Sequence, residues 1–464
     1  MSAPVVSPVR IGRLSIGALG FLALSLGTLQ SVVEPALPLL QSELGVSRGE
    51  GALIGNALLV AGAVVAPVAG TLGDRYGGKR VLVRLMALVA AGGLLAALAP
   101  NFPVLLLGQV VQGLMVGALP LSFILVRKNL PPRESRLAIG LVMALFTGGG
   151  MVGTLFAGPI EEALSWRWMF ALPTIVIIAM TSVVTRLLPH DPPIPSATRI
   201  DWPGALLLSG TLLVFMLGLV RVTGAGLPPF AIGALVTVLA VLVAGWVAVE
   251  RRAVSPMVDL RMLAKPALWH SCVLTFVIVT SFGMVGFLLP QMFAIPGAGH
   301  GFGLDTTDIG LFLLPGAVAG AASDAVGGVV ARRLGLRAVL VVGAVVTVTT
   351  MIVLVSLHTA AWQLALAKVP AAIAAGVAAT ALLTRTADAV ESGDIGIATS
   401  LLVVTRVIGV AVGAQIAAAI LDSGTDPATG LPSESAFVTG FAVAGLVAAL
   451  SLLVVRSTKK GIQA

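Results

Sequence analysis

The chain has 464 residues, of which 58% are hydrophobic and only 10% charged, and its net charge is +8; ordinary soluble domains carry about 25% charged residues, so a water-soluble globule is excluded. Runs such as Ala231 to Val249 lack the two-residue alternation of lipid-facing strands, which excludes a β-barrel. A single cysteine, Cys272, excludes an intrachain disulfide and a multi-thiolate metal site, and His190, His270, His300 and His358 lack ligand spacing and read as interfacial polar residues.

What remains is an all-α membrane protein, because apolar stretches of roughly 20 residues recur along the chain and each can cross a hydrocarbon layer of about 30 Å as a helix. In chain order the predicted spans are 15–40, 51–72, 81–99, 104–126, 137–159, 168–187, 203–222, 229–249, 268–290, 307–329, 338–357, 362–384, 394–421 and 438–455. The segment before residue 14 carries Arg10 and Arg13 and no small-residue cleavage site follows, so the first span reads as retained. Of the 28 lysines and arginines, Arg48, Arg167 and Arg221 alone fall outside, Lys368 and Arg406 fall within spans, and the rest fall on the side of the N-terminus. By the positive-inside rule that side is cytoplasmic, with both termini there, in a plasma (cell inner) membrane. This dispersed charge accounts for the basic balance without nucleic acid. The six tryptophans fall near span ends, as interfacial indoles do.

An internal repeat is legible. GTLGDRYGGKR (Gly70 to Arg80), after the second span, is echoed by GVVARRLGLR (Gly328 to Arg337), after the tenth, with Gly77 opposite Gly335. One residue of shift then sets Gln109 opposite Lys368 and Gly117 opposite Gly376. The expected domains are an N-terminal six-helix bundle (1–190), an inserted helix pair with its linkers (191–262) and a C-terminal six-helix bundle (263–464). In the first loop Gly70, Gly77 and Gly78 permit close approach and a tight turn, while Asp74 can accept hydrogen bonds from Arg75, Arg80 or a helix N-terminus; Lys79 fits an orientation-setting basic loop equally well.

GTLGDRYGGKR resembles the loop between helices 2 and 3 of the major facilitator superfamily. The wider pattern is similar to its fourteen-helix drug:proton antiporter branch: LQSVVEPALP (Leu29 to Pro38), SWRWMF (Ser165 to Phe170), DWPG (Asp201 to Gly204) and TRVIGVAVG (Thr405 to Gly413) resemble its helix 1, helix 6, inserted-pair and helix 13 segments. The resemblance implies two pseudo-symmetric six-helix bundles plus two inserted helices. It also implies a cytoplasmic gating motif at Gly70, Asp74, Arg75, Gly77, Lys79 and Arg80. The sequence departs from that pattern at Gln109, where an arginine is usual, at Gly150 and Thr154, where prolines are usual, and at Gln30, where the family has a carboxylate.

Ionisable side chains inside spans cost about 2.5–3.5 kcal/mol each on insertion scales, so they mark working positions. Glu34 lies one turn beyond Gln30 on the same face, and Pro35 disfavours regular helix there. It reads either as a proton-coupling carboxylate lining a cavity or as an outer-interface charge. Asp324 is the second proton-coupling candidate, or part of a structural gate. Lys368 and Arg406 are candidate cations of the substrate cavity, alongside Gln30, Glu34, Gln109 and Gln112; Lys368 can alternatively snorkel, and Arg406 can bond backbone carbonyls. The absence of GxxxxGK[ST] argues against ATP, and no cofactor or catalytic chemistry is called for. One proton falling through about 150 mV supplies roughly 3.5 kcal/mol, which sustains a several-hundredfold gradient. The expectation is a proton-coupled exporter of small amphipathic or hydrophobic compounds, with protons, substrate and the lipid bilayer as partners. Rival expectations are a gradient-independent uniporter or importer, and a lipid-handling or regulatory protein of the same fold.

Overall fold

The computed structural model describes residues 12–189, 201–224, 228–253, 266–296, 300–388, 390, 395–426 and 428–457; His190, Arg10, Lys459 and Lys460 lie outside these residues, as does the side chain of Asp74. The described residues are helical nearly throughout, apart from one isolated bridge between Thr425 and Pro432.

The first span is two helices end to end, α1 (Arg13–Ser31) and α2 (Val33–Leu44). The discontinuity falls at Val32, just before Pro35, whose missing N–H leaves the Ser31 carbonyl without its helical donor; Pro38 does the same to the carbonyl of Glu34. A Ser47–Glu50 capping box starts α3 (Arg48–Tyr76), and Gly77, at φ 90°, is the one-residue joint to α4 (Gly78–Ala97). Capped by Asn101, α5 (Phe102–Gln112) passes through a 3-10 stretch, Gly113–Gly117, into α6 (Ala118–Asn129). Then come α7 (Pro132–Ala163) and α8 (Trp166–Leu187). The inserted pair is α9 (Trp202–Gly224) and α10 (Pro229–Arg252). The C-terminal bundle comprises α11 (Pro266–Ala294), α12 (Thr306–Leu334), α13 (Leu336–Ser356), α14 (Ala361–Asp388), α15 (Ile395–Ser423) and α16 (Glu434–Ser457).

Thirteen of these helices or helix pairs are long and apolar enough to cross a membrane, and α9 adds a shorter apolar stretch, Trp202–Phe215. The chain therefore alternates between two ends: the basic end, with the joints at Gly77 and Gly335, and the far end, with the turns at Gly45, Gly303 and Gly430. Gly335 has φ 79° and joins α12 to α13 as Gly77 joins α3 to α4, so the repeat seen in sequence has the same backbone in both halves.

Packing repeats too. In the N-terminal bundle α1 lies against α7 so closely that a Cβ on Gly27 or Gly149 would strike the facing backbone carbonyl, and α11 meets α15 in the same way at Gly283 and Gly413. The inserted pair packs on itself, and α9 lies across α3 and α15, where the two bundles meet, with Leu208 and Leu212 buried there.

Exposed Trp168, Trp202, Trp269 and Trp362 stand near helix ends, as interfacial indoles should. Trp166 instead turns inward, edge-on to Phe170, with the Arg167 guanidinium over its ring.

Candidate functional site

Glu34 and Lys368 meet across the two bundles. Lys368 Nζ on α14 donates to Glu34 Oε1 on α2 at 2.8 Å. The lysine side chain is 6% exposed and the glutamate 41%, so the protein encloses the ammonium and leaves part of the carboxylate uncovered. Pro35 and Pro38 bend the chain where the carboxylate sits, and Gly316 on α12 gives the lysine its room: a Cβ there would fall 3.0 Å from Lys368 Cγ. At 1.5 Å per residue the pair lies about 10–15 Å below the far end.

Above it, the far end is tied shut between the bundles. Gln291 donates to Gln41 at 2.6 Å, both side chains being buried, and Gln415 Nε2 donates to the Gly49 carbonyl at 3.1 Å. Arg48 reaches Asp422 at 3.4 Å and Thr425 at 3.1 Å, and the Thr307 hydroxyl donates to Glu162. A cavity of about 620 Å³ outside these ties is lined by Gln41, Arg48, Glu161, Gln291 and Asp305.

Below the pair, toward the basic end, lies a cavity of about 680 Å³ between α7 of one bundle and α11, α12, α14 and α15 of the other. Its wall combines Met143, Thr147, Met151, Thr380 and Leu383 with two charges, Asp324 and Arg406, both exposed to it. Their fields interact, and Asp324 is held by close helix packing: a Cβ on Gly376 would lie 3.1 Å from Asp324 Oδ1 and 2.1 Å from Ser323 Oγ. A space with apolar walls and few polar groups is shaped for a small amphipathic ligand.

The remaining sequence candidates separate. Gln30 is half-buried one turn from Glu34. Gln109 and Gln112 are wholly enclosed within the N-terminal bundle; Gln112 donates to the Gly92 carbonyl at 3.3 Å, while neither amide atom of Gln109 has a partner. Neither lines the two cavities above. In the basic loop Arg75 stacks on Tyr76, Lys79 donates to the Leu188 carbonyl, and Arg80 also has an interaction. Sequence reasoning missed the uncharged tie of Gln41, Gln291 and Gln415; the available signal was an amide within one apolar span and at the far end of two others.

The sequence model of the Major Facilitator Superfamily matches residues 19–292, more than half of the chain. The chain belongs to this superfamily. It is an integral membrane protein of a family whose members are generally not enzymes. An uncharacterized MFS-type transporter of Mycobacterium tuberculosis is 29% identical over 459 residues, 93% of this chain but 64% of that protein, so the chain spans just under two thirds of this relative. The uridine/deoxyuridine transporter of Lactococcus lactis is 25% identical over 72% of each chain. The putative multidrug resistance protein MdtD of Escherichia coli is 28% identical over 71% of this chain and 68% of its own. Among solved structures, the nucleoside transporter NupG superposes with a TM-score of 0.69 at 11% identity, covering 96% of this chain and 99% of its own, which establishes the fold alone.

Proposed function

We propose that the protein is a proton-coupled exporter of small amphipathic or hydrophobic compounds, of the fourteen-helix drug:proton antiporter type, working by alternating access. The observation that carries this reading is the Glu34–Lys368 pair, a charged contact that exists only while α2 and α14 stay together. In the arrangement seen here the far end is tied shut and the larger cavity lies toward the basic end, which the positive-inside rule assigns to the cytoplasm. Substrate enters that cavity from the cytoplasmic side. Rocking of the bundles opens the far end, draws α2 from α14 and frees Glu34 to take a proton from outside. On return Lys368 reclaims the carboxylate and the proton leaves inward. Asp324 and Arg406 orient polar groups of the cargo, and Asp74 latches the basic loop between turnovers. Similarity to MdtD supports export of toxic compounds.

The test is efflux from proteoliposomes, using a compound first identified by growth inhibition with and without expression. An inward proton gradient should accelerate efflux in the wild type and not in Glu34→Gln, which keeps gradient-independent exchange. Glu34→Gln with an undiminished response to the gradient would refute the coupling role. The uridine/deoxyuridine relative favours a second reading, gradient-independent transport of a polar solute, which flux unaffected by the proton gradient would support.

A further inference from the structure

Three basic residues stand at the far end, against the charge asymmetry of the rest. Arg48 is committed to Asp422 and Thr425, and Arg167 donates to the Ala99 carbonyl and covers Trp166. Arg221 is exposed near the end of α9, and among the described residues no carboxylate or carbonyl is bonded to it.

Its neighbours on the same helix supply a reason. Ser209, Leu213 and Leu217 line a cavity of about 320 Å³ between α9 and the helices α3 and α5, and they are spaced four residues apart. Arg221 is the next residue in that series, so one helical stripe runs from the cavity to the guanidinium. The opposite wall is apolar, with Leu53, Val60, Val65 and Val110. The two polar side chains in the lining are already used, Asn56 donating to the Ala411 carbonyl at 3.4 Å and Ser209 to the Ala205 carbonyl at 2.7 Å. The groove therefore offers hydrocarbon contacts alone. From Leu53 to Val65 it follows α3 for about 18 Å at the helical rise, close to the roughly 15 Å depth of one leaflet's hydrocarbon. Leu213 and Leu217 are 47% and 40% exposed beside it, so it borders the lipid rather than the space between the bundles.

We propose that this groove and Arg221 together bind one anionic phospholipid of the leaflet at the far end, its acyl chain between α9 and α3 and its phosphate on the guanidinium. A cation at the membrane surface attracts anionic headgroups, and a charge-assisted contact to phosphate holds one of them. Because α9 also packs on α15, the bound lipid lies against the helix that bridges the two bundles. The site is independent of the transport reading, and its test needs no flux.

The experiment is native mass spectrometry of the full chain, released from micelles containing equal phosphatidylglycerol and phosphatidylcholine. The wild type should retain one phosphatidylglycerol with a preference of about tenfold, as one charge-assisted contact provides. Arg221→Gln should bind either lipid equally. Ala57→Phe, which fills the groove from α3, should retain neither, with circular dichroism verifying that it is folded. An unchanged preference in Arg221→Gln overturns the headgroup assignment, and undiminished retention by a folded Ala57→Phe overturns the groove. Displacement of the lipid by a transported compound at equimolar amounts would make the groove a cargo site instead and also overturn the proposal.

Discussion

Glu34 and Lys368 are unequal partners, and their burial predicts an unequal response to mutation. Replacing Glu34 by Gln leaves an ammonium whose side chain is 6% exposed without its counter-charge, and stranding one member of a buried pair costs about 3–5 kcal/mol. Replacing Lys368 by Met leaves a carboxylate that is 41% exposed rather than enclosed by protein, so the loss should be smaller, while the Met stem keeps its packing against Gly316. The double variant removes both charges and should regain most of what Glu34→Gln loses. Thermal unfolding of the four proteins in one detergent and one salt concentration closes the cycle. The expected order of midpoints is wild type, Lys368→Met, the double variant and then Glu34→Gln, with a coupling of about 2 kcal/mol or more between the sites. Equal losses for the two single variants, or additive losses in the double, would show that the lysine is not held out of water by this contact.

Three other outcomes follow from the geometry. Gly376→Ala should slow transport, because its Cβ would displace Ser323 Oγ and crowd the Gly320 carbonyl at 3.0 Å where α14 packs on α12, whereas Gly343→Ala, with contacts no closer than 3.7 Å, should transport normally; flux of the pair checks it. Gly77→Ala and Gly335→Ala each place a side chain at positive φ and should cost about 1–3 kcal/mol, measured by thermal unfolding, with no change in substrate affinity. Arg48→Gln removes the far-end ion pair and should raise the labelling rate of a cysteine introduced at Gln41 several-fold; an unchanged rate would mean that the ion pair does not hold that end closed.

Much of this was legible because a bilayer limits what the chain can do. With backbone polar groups forced into helices, apolar length alone places the spans, and the predicted fourteen agree with the helices to within a few residues. Gly77 and Gly335 were matched by spelling and share a positive φ, since a one-residue joint between antiparallel helices requires that backbone. Proline chemistry placed the break of the first span at Glu34, and it falls two residues earlier because the proline at 35 acts on carbonyls one turn back. Other features had no one-dimensional signal. That Lys368 points at Glu34 rather than snorkelling depends on Gly316, on a different helix, leaving room for its stem. The 3-10 stretch at Gly113–Gly117 begins where Gly113 lies close against the Leu58 carbonyl, a contact between two helices that the local sequence does not announce.

The repeat makes one further step possible. Gln109 and Lys368 are equivalent by sequence, yet the first is sealed inside its own bundle and the second reaches across to the other. A pair of symmetric polar positions has thus become one buried amide and one interbundle charge. Rocking that preserves each bundle as a rigid body leaves the surroundings of Gln109 unchanged and alters those of Lys368. Any energy stored between the two states at this depth must then reside on the Glu34–Lys368 side, since only contacts that differ between states can bias them. Gln109→Leu should accordingly stabilise or leave unchanged the folded protein, because its two amide atoms are unpaired, and should leave the response of efflux to a proton gradient intact. Loss of gradient-driven efflux in a folded Gln109→Leu protein would mean that the buried amide moves with the cycle and that the N-terminal bundle is not rigid.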